Sequence, residues 1–326
     1  MDPGERAIQW LYAQLKIDDY WAERTPDGFR WWADKQAQTI EVAGREEGGP
    51  DNATAALVAV RTDVLRGVEL DDERRALLNS RVMSFASMAG LVYDTARRTL
   101  SLCTLARVLE DNESWVDPFL SMAAVLQIEE ARAIAASLAG GLGAETAISG
   151  HPARGVRALP DEMAGAVEAL VVPTGRRTSV WSPVELQAAA GEIVKMPGVT
   201  SLAPEPGGLT ADIAFGDLPS RCQVLADVPH PRYGSGLLLL HQFPMAPPTE
   251  PEGAGLALAL NEIELSRAPL GYGFGSYAWR GERIYFISFL PNALYRAGLL
   301  PSLVASCARR AGSLHPLVSA PESPVE

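Results

Sequence analysis

The sequence predicts an α+β fold built from two tandem copies of one α-β-β-β-α-β-β-α unit. Each copy is expected to be an antiparallel sheet packed on helices, and together they form a pseudo-dimer within one chain. Three observations predict it. Short anchor stretches recur in the same order in both halves at a nearly constant spacing. Between the anchors, apolar periodicity switches between the helical and strand patterns in the same succession in each half. The length of 326 residues also accommodates two domains of about 150 residues, each able to bury a core without disulfide staples.

The anchors run as follows. Gly28-Phe29-Arg30-Trp31-Trp32 falls opposite Gly208-Leu209-Thr210-Ala211-Asp212, an offset of 180 residues. Ile40-Glu41-Val42 falls opposite Cys222-Gln223-Val224 at 182, and Leu77-Leu78-Asn79 is echoed by Ala259-Leu260-Asn261 at the same offset. The strand-like run from Leu100 to Leu105 is echoed by Ile284 to Phe289 at 184, and Pro118-Phe119-Leu120 by Pro301-Ser302-Leu303 at 183. A slow drift of this kind is the mark of small loop insertions.

In the first half, Ile8, Leu11, Tyr12 and Leu15 share one face of a helix that Asp18-Asp19 should end. Residues 28–32, 39–42 and 55–61 read as strands, the last after the breaker run from Gly44 to Pro50. Asp71-Asp72-Glu73 puts acidic residues at the positive end of a helix over 72–87, striped by Leu78, Val82 and Phe85. Residues 91–94 and 100–105 read as a hairpin turning near Ala96-Arg97. Asp117-Pro118 then starts a long helix carrying Phe119, Met122, Ala123 and Leu126.

The Gly-rich stretch from Gly140 to Gly150 closes that helix, and a linker begins at His151-Pro152, with a short helix over 162–171 that has no counterpart upstream. The second half repeats the plan: a helix over 183–194, strands over 209–215, 222–227 and 236–241, a helix over 255–266, a hairpin turning at Gly281, and a closing helix from Leu299. The expected organisation is a first unit at 1–140, a Gly/Pro-containing linker at 141–180, a second unit at 181–316 and a disordered Pro/Ser/Glu-rich tail at 317–326.

Composition narrows the function classes. With 47 % apolar and 21 % charged residues the chain is ordinary for a folded protein, and its longest apolar runs are too short to cross a bilayer. Met1 to Glu5 lacks the basic and apolar regions of a signal peptide, so a cytoplasmic location is expected. Cys103, Cys222 and Cys307 lie in apolar segments and read as small core residues rather than a disulfide framework. A net charge of −12 repels phosphate backbones and anionic lipid, which argues against nucleic-acid and membrane partners. The near absence of Lys beside abundant Arg, Ala, Gly and Pro points to a GC-rich bacterial genome.

The segment from Asn261 through Arg267, then Gly273-Phe274-Gly275-Ser276-Tyr277 and Glu282 to Phe286, resembles the helix-to-hairpin stretch of YbjN-like proteins. That family shares the fold of type III secretion chaperones, whose element order matches the one read above. Two such units in one chain look like the tandem, chaperone-like (TY-Chap-type) proteins of some bacteria. The resemblance implies an acidic protein-binding module with no catalytic motif, and in a duplicated chain it leaves the client open.

No residue constellation for chemistry stands out. His151, His230, His241 and His315 are dispersed, no pair has metal-site spacing on a helix, and solvent-facing or capping roles suffice for His230 and His241. Gly271 to Ser276 resembles a phosphate-cradling loop but leads into a strand, so it reads as a crowded hairpin edge. The acidic clusters Asp18-Asp19, Asp71-Asp72-Glu73 and Glu110-Asp111 sit at helix ends, where capping explains them. No catalytic, cofactor-binding or metal-binding residue is therefore assigned, and no cofactor is expected.

Aromatics are the surplus. Tyr20, Trp21, Phe29, Trp31 and Trp32 crowd the first helix and strand, and consecutive Trp31-Trp32 must point to opposite faces, leaving one of the two off the core. Tyr20, Trp21, Trp31 and Trp32 are thus the candidate partner-binding residues, with packing under the neighbouring copy as the other reading. The expected function is a noncatalytic module, chaperone-like or adaptor, that holds a segment of a partner protein and acts as a monomer because the dimer contact is internal. A small-ligand sensor or enzyme with its site in the cleft between the halves is the alternative.

Overall fold

Two antiparallel sheets, each with helices against one face, are visible in the computed structural model, which describes residues 2–47, 54–162 and 179–319. In the first half, α1 (Pro3–Gln14) leads into β1 (Ala22–Thr25), β2 (Gly28–Trp31), β3 (Gln38–Glu46) and β4 (Ala55–Arg66). Then follow α2 (Asp72–Ser84), β5 (Gly90–Asp94), β6 (Thr99–Val108), α3 (Glu113–Leu142) and the two-residue β7 (Glu145–Thr146), which pairs with β4. The second half runs α4 (Pro183–Ile193), β8 (Val199–Glu205), β9 (Gly208–Phe215), β10 (Leu218–His230), β11 (Gly234–Phe243) and α5 (Glu250–Glu262). A π turn over Ile263–Arg267, β12 (Ser276–Arg280), β13 (Arg283–Pro291) and α6 (Leu299–Ser319) complete it.

The strand order is β1-β2-β3-β4-β6-β5 in the first sheet and, read in the matching direction, β8-β9-β10-β11-β13-β12 in the second. The same order therefore occurs twice. Each half has four strands before its middle helix rather than the expected three. The missed strands are β1 and β8; Ala22-Glu23-Arg24-Thr25 is almost wholly polar and β8 carries Pro204, because both lie at a sheet edge where only one side must be paired. Register also corrects one anchor. Phe29 pairs with Ile40 and Leu209 with Val224, so Ile40 corresponds to Val224 rather than to Cys222. A slip of two residues preserves the buried face, which is why the apolar pattern did not betray it.

Several boundaries move as well. The third strand extends to Arg66, and α3 begins at Glu113, ahead of Asp117-Pro118. The closing helix continues to Ser319, so residues 317–319 of the expected tail are helical. Part of the expected linker is folded: Gly143 caps α3 in the left-handed conformation, and β7 adds to the sheet. The short helix expected over 162–171 lies outside the described residues but for Glu162.

The helices begin where side chains can satisfy their free N–H groups. The Asp2 carboxylate accepts from Gly4 N at 2.8 Å ahead of Pro3, Asp71 accepts from Arg74 N at 2.8 Å, and Ser182 and Glu185 form a reciprocal capping box ahead of Pro183. In the first half, Phe29, Trp31, Ile40, Val42, Val58 and Val60 bury one sheet face against α1 and α3. In the second, Leu209, Ala211, Ile213, Val224, Leu239 and Phe286 do so against Leu303, Val304, Cys307 and Ala311 of α6. These residues belong to one continuous core across both halves.

Contacts across the junction explain that continuity. β12 is an edge strand, and its unpaired main chain is capped by two side-chain amides. Asn79 of α2 donates to Trp279 O at 2.8 Å and accepts from Trp279 N at 2.6 Å. Asn261 of α5 donates to Tyr277 O at 3.4 Å and accepts from Tyr277 N at 2.6 Å. A second pair of contacts is reciprocal. Phe289 N of β13 donates to Ser87 O of the first half at 3.2 Å, and the loop at Gly273 lies so close to Leu105 O of β6 that an added Cβ would come within 1.8 Å of it. Leu105 and Phe289 are related by the same 184-residue offset seen in the sequence.

Replacing either asparagine by alanine strands a buried donor and acceptor at once. Asn79→Ala and Asn261→Ala should each lower unfolding free energy by about 1–3 kcal/mol. Urea denaturation measures this, and a loss within error of zero for both would show that the amide caps are dispensable.

Candidate functional site

An opening with convergent chemistry lies where the two halves meet. A cavity of about 300 Å³ is bounded by Ala106 and Arg107 at the end of β6 and by Asn112, Trp115, Val116 and Phe119 at the start of α3. The second half closes it with Gly271, Tyr272 and Phe274 of the loop before β12, and with Leu299, Ser302, Leu303, Ser306 and Arg309 along α6. Trp115, Val116 and Phe119 fall on one face of α3 by helical spacing, while Tyr272 and Phe274, either side of the left-handed Gly273, stack their rings with centroids 6.2 Å apart. Phe119 and Phe274 touch across the junction with ring centroids 5.6 Å apart, and Arg296 lies over the Trp115 ring at 4.8 Å.

The loop that forms the second wall is held from beneath. Arg310, fully buried, forks onto the Glu264 carboxylate with contacts of 2.7–3.1 Å, and Glu264 also accepts from Tyr277 Oη at 2.7 Å and from Gly271 N at 3.2 Å. The Arg310 guanidinium stacks over Phe286 at 3.5 Å. An added Cβ at Gly271 would stand 2.6 Å from Arg310, so only glycine lets the loop descend that far. Burial raises the Tyr277 hydroxyl well above its ordinary range, reinforced by the adjoining Glu264 carboxylate.

Beside this pair, Cys222, Cys307 and His241 share the core of the second half, with His241 Nε2 3.0 Å from Ser220 Oγ. The hydrogen bond to Cys307, together with burial, pushes the Cys222 thiol well up. All three side chains are wholly buried, so the group has no face open to a ligand. His241 lies within β11 and not in solvent, contrary to the expectation for it. Among the described residues no group of three or more His, Cys, Asp or Glu could hold a metal ion, and no helix is long and apolar enough to cross a membrane.

The candidate partner-binding aromatics divide. Trp31 is 0 % and Trp32 1 % exposed, so neither is open to solvent, although only Trp31 belongs to the main core. Both faces of the strand are covered: Trp31 packs into the core with α1 and α3, while Trp32 lies beneath residues 149–161 of the same chain. Trp32 Nε1 donates to Ser149 Oγ at 3.0 Å, Arg157 donates to Trp32 O at 2.8 Å, and the His151 ring meets Trp32 edge-on at 4.9 Å. Tyr20 is 53 % exposed and Trp21 half-buried, yet Arg154 sits 3.1 Å over the Tyr20 ring and Arg157 5.1 Å over Trp21. The structure thus gathers Tyr20, Trp21 and Trp32 under a strap of their own chain. Periodicity reads one strand at a time and carries no signal for a distant segment covering its outer face.

A titratable cluster also bridges the halves. Glu130 of α3, 3 % exposed, accepts from Tyr233 Oη at 2.8 Å. The His230 ring stacks on Tyr233 at 4.5 Å, and its Nε2 lies 3.0 Å from Ala86 O, so His230 is buried at the junction rather than solvent-facing. Burial raises the Glu130 carboxyl to about 7, against hydrogen bonds from Ser87 and Tyr233 and the charges of Arg81 and Arg232 that oppose the rise. Burial likewise lowers His230 to about 4. The adjoining cavity, of about 30 Å³, has room for a single water.

Comparison of the chain with protein-family models, with curated proteins and with solved structures finds no match.

Because Glu130 is neutral in the fold and ionised in the unfolded chain above 4.5, its contribution is fully present below that value and is lost as pH rises through about 7. His230 acts oppositely: its contribution is present above 6.5 and is lost as pH falls toward about 4. Glu130→Gln keeps an acceptor for Tyr233 but removes the charge. It should match the wild type near pH 5 and exceed its stability by about 2–3 kcal/mol near pH 8, from 1.36 kcal/mol per pKa unit. Urea midpoints at the two pH values decide it; a pH-independent difference would rule the ionisation out.

Proposed function

We propose that this chain is a noncatalytic binding protein in which two copies of one chaperone-like unit are fused as a pseudo-dimer, and that the cleft between the copies is its binding seat. The observation that carries the reading is the cleft itself, where aromatic walls contributed by both halves bound about 300 Å³ of open space. Sites of this kind favour junctions between units and are mostly apolar with a few placed polar groups. The shared strand order and the reciprocal contacts at Leu105 and Phe289 support the pseudo-dimer. In such an arrangement the contact that two separate copies would make becomes internal, and the chain is a monomer.

The aromatic patch at Tyr20 and Trp21 is a poorer seat, because Arg154 and Arg157 of the same chain already occupy its ring faces. A segment of a partner protein, the occupant first expected, would reach the cleft only through side chains that it inserts there.

A thermal-shift screen with small-molecule fragments tests the reading when run on the wild type beside Ser302→Trp. Ser302 is exposed at the rim, so an indole there obstructs the cleft without entering the core. A ligand at a hundred times its dissociation constant should stabilise the wild type by about 2.7 kcal/mol and leave the obstructed variant unmoved. Fragments that shift both proteins equally would place binding elsewhere, and no shift at all would remove the cleft as a seat.

A further inference from the structure

The cleft is chemically one-sided in a way that its shape alone does not require. In a chain of net charge −12, not one of its lining residues among the described residues is Asp or Glu, while two are Arg. Arg107 spends Nε and Nη2 on the Glu46 carboxylate at 2.5 and 3.1 Å, and its Nη1 is buried with no partner. That nitrogen has next to no accessible surface and does not open on the cavity, so the charge presented there is that of Arg309. Arg309 of α6, exposed at the rim of the cavity, has no ion pair or hydrogen bond among the described residues. The other polar groups at the rim, Ser302 and Ser306, carry hydroxyls, and Asn112 is committed to Leu109 N and Arg107 O.

Resting on the reading of the cleft as a binding seat, we infer that its ligand is a small aromatic carboxylate, its ring held among Trp115, Phe119, Tyr272 and Phe274 and its anionic end at Arg309. The four rings select a flat, polarisable body that stacks or meets them edge-on. The Arg309 guanidinium selects the anion, since charge-assisted hydrogen bonds to carboxylate are the stronger class and a planar fork fits a carboxylate on two oxygens. The cavity lies at the lower end of the range for small-molecule sites, which limits the body to one or two fused rings. A neutral arene would fill the same space yet leave Arg309 unmet.

Calorimetric titration of the full chain with indole-3-acetate and with its amide, indole-3-acetamide, isolates the charge at constant shape. The acid should bind at least about tenfold more tightly than the amide, and Arg309→Gln should reduce that preference toward parity. Phenyl phosphate serves as a third probe, and a preference for it over both indole compounds would replace the carboxylate by a phosphate and overturn the inference as stated. Ser302→Trp should abolish binding of every probe with the fold intact by circular dichroism. Equal binding of acid and amide, both blocked by Ser302→Trp, would overturn the anion while leaving the cleft as a seat. Failure of all three probes, with fragments still stabilising only the unobstructed protein, would overturn the aromatic carboxylate in the same way. Failure of every compound tested would remove both proposals.

Discussion

The free edge of β12 is the constraint around which the two halves are arranged. An edge strand exposes unpaired N–H and C=O groups that invite another strand, and folded proteins blunt such edges by covering them. Here two amides do so, one from each half: Asn79 reaches Trp279 and Asn261 reaches Tyr277, two residues apart along the same strand. An asparagine amide sets an N–H donor beside a carbonyl acceptor, the complement of one residue's main chain. Because Asn79 comes from the first half, sealing the edge also ties α2 to the second sheet. The contact that prevents strand addition is thus the same contact that fixes one half on the other.

From that tie the cleft follows by steps. With α2 and α5 set side by side over β12, the chain leaving α5 must cross the outer face of β6 before it can begin β12. The crossing is tight at Gly273, where an added Cβ would strike Leu105 O, and at Gly271, where it would strike Arg310. The Glu264–Arg310 pair holds the loop at that depth. A fully buried ion pair adds little net stability compared with apolar packing, but removing one partner leaves a charge stranded in the core. Its evident effect here is positional, since Glu264 binds Gly271 N and Tyr277 Oη while Arg310 underlies the Tyr272 and Phe286 rings. Tyr272 and Phe274 are thereby presented to α3 as one wall of the cavity.

Much of this was legible in the sequence, and the limits are physical. The Leu-Asn echo at Leu78-Asn79 and Leu260-Asn261 marked two helices whose asparagines serve the same strand, and the Gly-rich run from Gly271 to Gly275 marked the place where backbone is crowded. Apolar alternation located the strands that bury one face against helices. It failed at β1 and β8, whose side chains are mostly exposed, because an edge strand is specified by main-chain pairing that leaves no periodic trace. It failed again at Trp32, where the covering layer comes from residues more than a hundred positions away. Trp115 and Arg309 carry no local signal that separates them from an ordinary helix surface; only the approach of the other half makes them walls of a site.

The same approach decides which cations are available. Most arginines here are occupied: Arg6 with Glu113, Arg107 in part with Glu46, Arg157 with Asp161, Arg310 with Glu264. In an acidic chain the expected fate of a guanidinium is a carboxylate of its own, and exposed pairs of this kind contribute little to stability. A guanidinium kept from such pairing beside an apolar cavity is therefore more informative than the pairs themselves. Arg309 is kept apart because α6 turns it toward a junction lined by rings and hydroxyls. The sealing of one strand edge thus leaves a positive donor without an acceptor at a junction walled by rings.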